Sequence, residues 1–67
     1  MPEVTKERIV NFYKKYFTEM REELLNREEI TLIPGDDFPE EDDEVLYYLE
    51  FNCIQYSNEE ILEMIDS

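Results

Sequence analysis

Glu44-Val-Leu-Tyr-Tyr-Leu-Glu-Phe-Asn-Cys-Ile-Gln55 is the stretch on which the fold assignment turns. Its odd positions Val45, Tyr47, Leu49, Phe51 and Cys53 are all apolar, while its even positions include Glu50 and Asn52. Side chains of a strand alternate between its two faces, so a period of two predicts a strand with one buried face. Upstream, Glu28-Glu-Ile-Thr-Leu-Ile33 is short, contains β-branched residues and stops at the turn signal Pro34-Gly35. It reads as a second strand. The two then form an antiparallel hairpin whose connection is longer than such loops usually are.

That connection, Pro34-Gly-Asp-Asp-Phe-Pro-Glu-Glu-Asp-Asp-Glu44, puts seven carboxylates into eleven residues. Helices flank the hairpin in the sequence. Between Thr5 and Asn26, the residues Ile9, Phe12, Tyr13, Tyr16, Phe17, Met20, Leu24 and Leu25 recur at spacings of three and four, which predicts one long amphipathic helix. Lys14, Lys15, Glu19, Glu22 and Glu23 fall on its other side. Thr5 suits the N-cap, Glu7 the positive end of the helix dipole, and Asn26 with Arg27 the C-terminus. At the other end of the chain, Ser57 and Glu60 have the spacing of a capping box, and Tyr56 is placed to staple against Ile61. A short helix from Asn58 to Ile65 follows, with Ile61, Leu62 and Ile65 inward.

The predicted architecture is therefore α+β in the order α-β-β-α: a long N-terminal helix packed on a two-stranded antiparallel hairpin with an acidic loop, closed by a short helix. Two strands make a weak sheet, so the hairpin either lies on the long helix or extends by pairing its edges across a two-fold axis in a homodimer. At 67 residues the chain has room for a single small domain, 1–67, with one core. Nine aromatics and 42% hydrophobic residues are enough for that core.

Several function classes are excluded or disfavoured. Histidine is absent, so the usual zinc sets cannot be assembled and Cys53, the only cysteine, lacks an activating base. On the inward side of the second strand, Cys53 is expected to be a small core residue. Gly35 is the only glycine, which removes the Gly-rich loops that cradle phosphates. The run of acids lacks the spacing of a calcium-binding EF-hand loop. No enzyme activity, metal or cofactor is implied. A single cysteine and the lack of an apolar leader or membrane-spanning run point to a cytoplasmic setting.

Charge is the main functional signal. The net charge is −13, and it belongs to one half of the chain. All six bases lie within residues 1–27, where five acids nearly balance them; residues 28–67 carry fourteen acids and no base. Like charges held together destabilise a compact state, so their retention points to a role beyond stability, and their sign disfavours nucleic acid and anionic lipid while favouring a basic protein. The candidate partner-binding residues are Glu28 and Glu29 on the first strand, Asp36, Asp37, Glu40, Glu41, Asp42, Asp43 and Glu44 on the loop, and Glu50 on the second strand. Phe38, fixed between Pro34 and Pro39, either pins the loop to the core or anchors in a partner's pocket. Tyr48, on the polar side of the strand beside Glu50, completes the set.

Carboxylates drawn from two strands and a loop approach the charge density of a nucleic-acid strand, which carries one charge per ~3.4 Å. The expected function is a non-catalytic inhibitor of the DNA-mimic type, which binds the basic nucleic-acid-binding surface of a host protein. The other reading is a small homodimeric protein–protein adaptor with no nucleic-acid connection. Glu28-Glu29-Ile-Thr-Leu-Ile-Pro34 resembles, over seven residues, the acidic edge strand with which phage uracil-DNA glycosylase inhibitors enter their target's DNA groove; the closing helix does not follow that family. Small size and acidity also resemble phage anti-CRISPR and anti-restriction proteins in composition, which implies a phage or mobile-element origin.

Overall fold

The computed structural model describes residues 3–33, 35 and 37–67. Four helices form, α1 Lys6–Phe17, α2 Arg21–Leu25, α3 Glu40–Phe51 and α4 Asn58–Asp66, and there is no strand among the described residues. The protein is all-helical rather than α-β-β-α. α1 packs on α3 and α4, and α2 packs on α4, within an envelope of 36 × 23 × 20 Å.

The largest correction is α3, which occupies most of the predicted second strand. Val45, Leu46 and Leu49 are buried, a spacing of one and four that suits a helix face. Tyr47 and Phe51, which an inward strand face would have covered, are 56% and 87% exposed. Helix wins because its start is strongly encoded. Pro39 occupies the N-cap with φ −57° and ψ 152°, and its carbonyl accepts from the amides of Asp42 and Asp43 at 2.9 and 3.0 Å. Glu40, Glu41, Asp42 and Asp43 then fill the first turn, where negative charge is favoured by the helix dipole. The acidic run is thus largely the beginning of a helix.

Both α2 and α3 end in a Schellman turn. At α3, the amide of Cys53 donates to the carbonyl of Glu50 at 3.1 Å and that of Ile54 to Leu49 at 2.9 Å, with Cys53 at φ 54°. At α2, Arg27 donates to Leu24 at 3.1 Å and Glu28 to Glu23 at 3.0 Å, with Arg27 at φ 61°. Cys53 is exposed, not the core residue that a strand would have made it.

The single N-terminal helix expected between Thr5 and Asn26 is broken after Phe17. Thr5 does cap α1, accepting from the amide of Arg8 at 3.3 Å. At Thr18 the hydroxyl bonds back to the carbonyl of Lys14, a contact that bends helices, and Met20 bonds to Phe17 in a tightened turn. The redirected α2 buries Leu24 to 1% exposure but leaves Leu25 at 56%. Full burial of such a side chain is worth about 1.5–3 kcal/mol.

Residues 28–33 form neither helix nor strand, and Ile30 and Leu32 pack against the core while Thr31 and Ile33 are exposed. They have no partner strand, so the predicted pairing of hairpin edges across a two-fold axis falls with the hairpin. α4 agrees with its sequence signals: Ser57 and Glu60 form the capping box at 3.2 and 3.1 Å. Its deepest residues are Ile61 and Met64, while Leu62 and Ile65 are only partly buried. The core is completed by Ile9, Phe12, Tyr13 and Phe17 of α1. Burial, with a smaller contribution from neighbouring Tyr56, pushes the Tyr13 hydroxyl up to about 12.

Candidate protein-binding surface

The fold divides the predicted acidic residues into two groups. The first is tied to the N-terminal half. Asp42 accepts from the Tyr16 hydroxyl and from Lys15 Nζ, the latter at 3.0 Å. Burial alone would raise its carboxyl, but the two hydrogen bonds and the charges of Lys15 and Arg8 overcome this and hold it below the ordinary carboxylate value. The same hydrogen bond to Asp42 raises Lys15, whose ammonium also lies 5.2 Å from the centre of the Tyr16 ring. Glu44 meets Arg8 at 3.2 Å, and Asp43 accepts from the amide of Gly35 at 3.2 Å.

Two further ion pairs join α2 and the turn after it to α4: Arg21 to Asp66 at 3.0 Å and Arg27 to Glu59 at 3.7 Å. All four pairs run from a base in residues 1–27 to an acid in residues 28–67. The separation of charge along the sequence is therefore partly undone in space.

The second group faces solvent. Glu28 and Glu29 are exposed on the segment 28–33, Asp37 on the turn before α3, and Glu40, Glu41 and Glu50 on α3 itself. Asp36 lies outside the described residues. Phe38 is half-buried, with its ring 5.1 Å from Tyr16 in an edge-to-face contact and 6.5 Å from Phe12. These contacts hold the turn against α1. Tyr48 is 38% exposed on the flank of α3.

Between the segment 28–33 and helices α1, α3 and α4 lies an open cleft of about 640 Å³. Its floor is apolar, including Phe12, Phe17, Leu46 and Leu49, with Glu29 and Glu50 at its polar edge. Among the described residues no three acidic or thiol side chains converge as a metal site, and no helix is long and apolar enough to cross a membrane.

Sequence reasoning missed Arg8, Lys15 and Tyr16 as partners of the acidic run, because those contacts join residues 26 or more positions apart. It also missed the exposure of Tyr47 and Phe51. Pro39 followed by four acids was the local signal that could have identified α3 and turned those two aromatics outward. Compared with protein-family models, curated proteins and solved structures, the chain matches none at a significant level.

Proposed function

We propose that this protein is a non-catalytic antagonist that occupies the basic, nucleic-acid-binding surface of another protein. The observation that carries this reading is what remains after internal pairing: Glu28, Glu29, Glu40, Glu41 and Glu50 stay outward, with no ion pair to a base among the described residues. With six bases against nineteen acids, internal pairing cannot neutralise the carboxylates as a whole. For Glu40, Glu41 and Glu50, placement on α3 gives a fixed geometry. A rise of about 1.5 Å per residue sets Glu40 and Glu50 about 15 Å apart along α3, between four and five of the ~3.4 Å phosphate spacings of a nucleic-acid strand.

Cation-lined surfaces that hold nucleic acid draw much of their affinity from releasing counter-ions, and a carboxylate array competes for the same sites. Capture of partners from lysate, followed by competition with duplex DNA or RNA, tests the reading. The captured protein is expected to lose nucleic-acid affinity when complexed, and the complex is expected to weaken as salt rises. A captured partner that binds nucleic acid with full affinity while in complex would refute the proposal.

A further inference from the structure

α3 presents to solvent a side that packs against nothing. Val45, Leu46 and Leu49 are buried, whereas Tyr47, Tyr48 and Phe51 are 56%, 38% and 87% exposed. At about 100° of rotation per residue, Tyr47 and Phe51 lie roughly opposite the buried set, with Glu40 and Glu44 on the same side and Tyr48 and Glu41 along one flank. Two aromatics left on one helix face forgo the burial that folding rewards, and clustered exposed apolar surface commonly marks an interaction site.

The charges around these rings limit what can cover them. α3 itself contains no base; Arg8 of α1 reaches this side at Glu44 and at the backbone carbonyl of Glu41, which leaves the Glu40 and Glu41 carboxylates as the charges available beside the rings. A second copy of this chain would bring a further net −13 against the same acids. The occupant must therefore be cationic, and it must also gain from a flat ring. An arginine guanidinium does both, since it is weakly hydrated, stacks on aromatic faces and pairs with carboxylates through two parallel hydrogen bonds. A lysine ammonium meets the carboxylates as a point charge and gains less from the rings.

We infer that the outward face of α3 is an arginine-docking surface, on which Tyr47, Tyr48 and Phe51 receive guanidinium groups of a partner protein while Glu40 and Glu41 pair with them. The inference rests on the proposed role as a ligand of a basic protein and adds which side chains make first contact. The test uses two synthetic peptides of equal length and charge, oligo-arginine and oligo-lysine, titrated into the intact labelled protein at near-physiological salt and followed by amide chemical shifts.

The arginine peptide is expected to bind roughly fivefold more tightly than the lysine peptide, with the largest shifts at Tyr47, Tyr48 and Phe51. In the double variant Tyr47→Ala, Phe51→Ala, the preference is expected to vanish while lysine binding and melting temperature stay near wild type, because both residues are exposed. Equal binding of the two peptides by the wild type overturns the α3 assignment and leaves the acidic-ligand reading standing. Failure of both peptides to bind, even at low salt, overturns both. A stable dimer in sedimentation that Phe51→Ala dissociates would show that a second copy covers this face, and would overturn the assignment as well.

Discussion

The Tyr16 hydroxyl donates a hydrogen bond to the carboxylate of Asp42, tying the last part of α1 to the first turn of α3 across 26 residues of chain. The bond joins a neutral donor to an ion, which places it among the stronger side-chain hydrogen bonds. Asp42→Ala is expected to cost about 1–2 kcal/mol, and Tyr16→Phe about 1 kcal/mol. For a domain of this size each kcal/mol lowers the melting temperature by about 4–8 °C. The double variant should cost less than the two single variants together, because they remove one shared contact. Strict additivity in thermal melts would show that the bond contributes nothing.

The same site sets an acid limit to stability. Because the folded Asp42 carboxyl sits below its ordinary value, its contribution is complete above the unfolded value of about 3.9 and is lost as pH falls through the folded value. Asp42→Asn should flatten the stability profile on the acid side of about pH 4. Tyr13 sets the alkaline limit. Its folded value of about 12 lies above the ordinary 10.0, so its contribution is intact below about pH 10 and is lost toward 12. Denaturant melts across pH, with Tyr13→Phe as control, check both limits.

Cys53 sits in the left-handed region at φ 54° because the Schellman turn after α3 demands it, and a side chain there is strained. Cys53→Gly is expected to stabilise the protein by up to about 1 kcal/mol, since the residue is exposed and little packing is lost. Cys53→Val, which adds β-branching at the same φ, is expected to destabilise it. Thermal unfolding of the pair decides the matter, and two variants of equal stability would contradict the turn.

Added salt should raise the melting temperature. Of the four ion pairs, Arg21–Asp66 and Arg27–Glu59 are exposed and the other two are partly buried and so only weakly screened, whereas thirteen excess carboxylates repel one another over distances that salt does screen. A rise of a few degrees between ~20 mM and ~500 mM sodium chloride is expected, and a fall would mean that the ion pairs dominate.

How far these features could be read from the sequence depended on how local their causes were. Thr5 and the Ile9 to Phe17 stripe announced α1, and Ser57 with Glu60 announced α4, because a cap and a periodic face are written within one segment. α3 was misread because Val45 and Leu49 belong to both an alternating and a helical pattern. Pairing of the apolar odd positions, from Val45 to Cys53, then outweighed the helix-start chemistry at Pro39 to Asp43. The alternation in residues 28–33 was real, but a strand also needs a neighbour, and none of the local chemistry specifies one. The break after Phe17 carried no proline or glycine; it coincides with the Thr18 back-bond to Lys14 and the tight turn from Phe17 to Met20. Of the candidate surface, the exposed acids were legible as a group. The division between Asp42 or Glu44, held by Lys15 and Arg8, and Glu40 or Glu41, left free of those bases, required the fold.

The direction of the four ion pairs bears on biosynthesis. Translation releases all six bases, in residues 1–27, before any of the fourteen acids of residues 28–67, so when α3 and α4 emerge their counter-ions are already present on the tethered nascent chain. A circular permutant that began at α3 would reverse that order and expose an unneutralised polyanion during synthesis. Its yield and refolding rate, set against those of the natural order, would measure how much the chain gains from making its bases first.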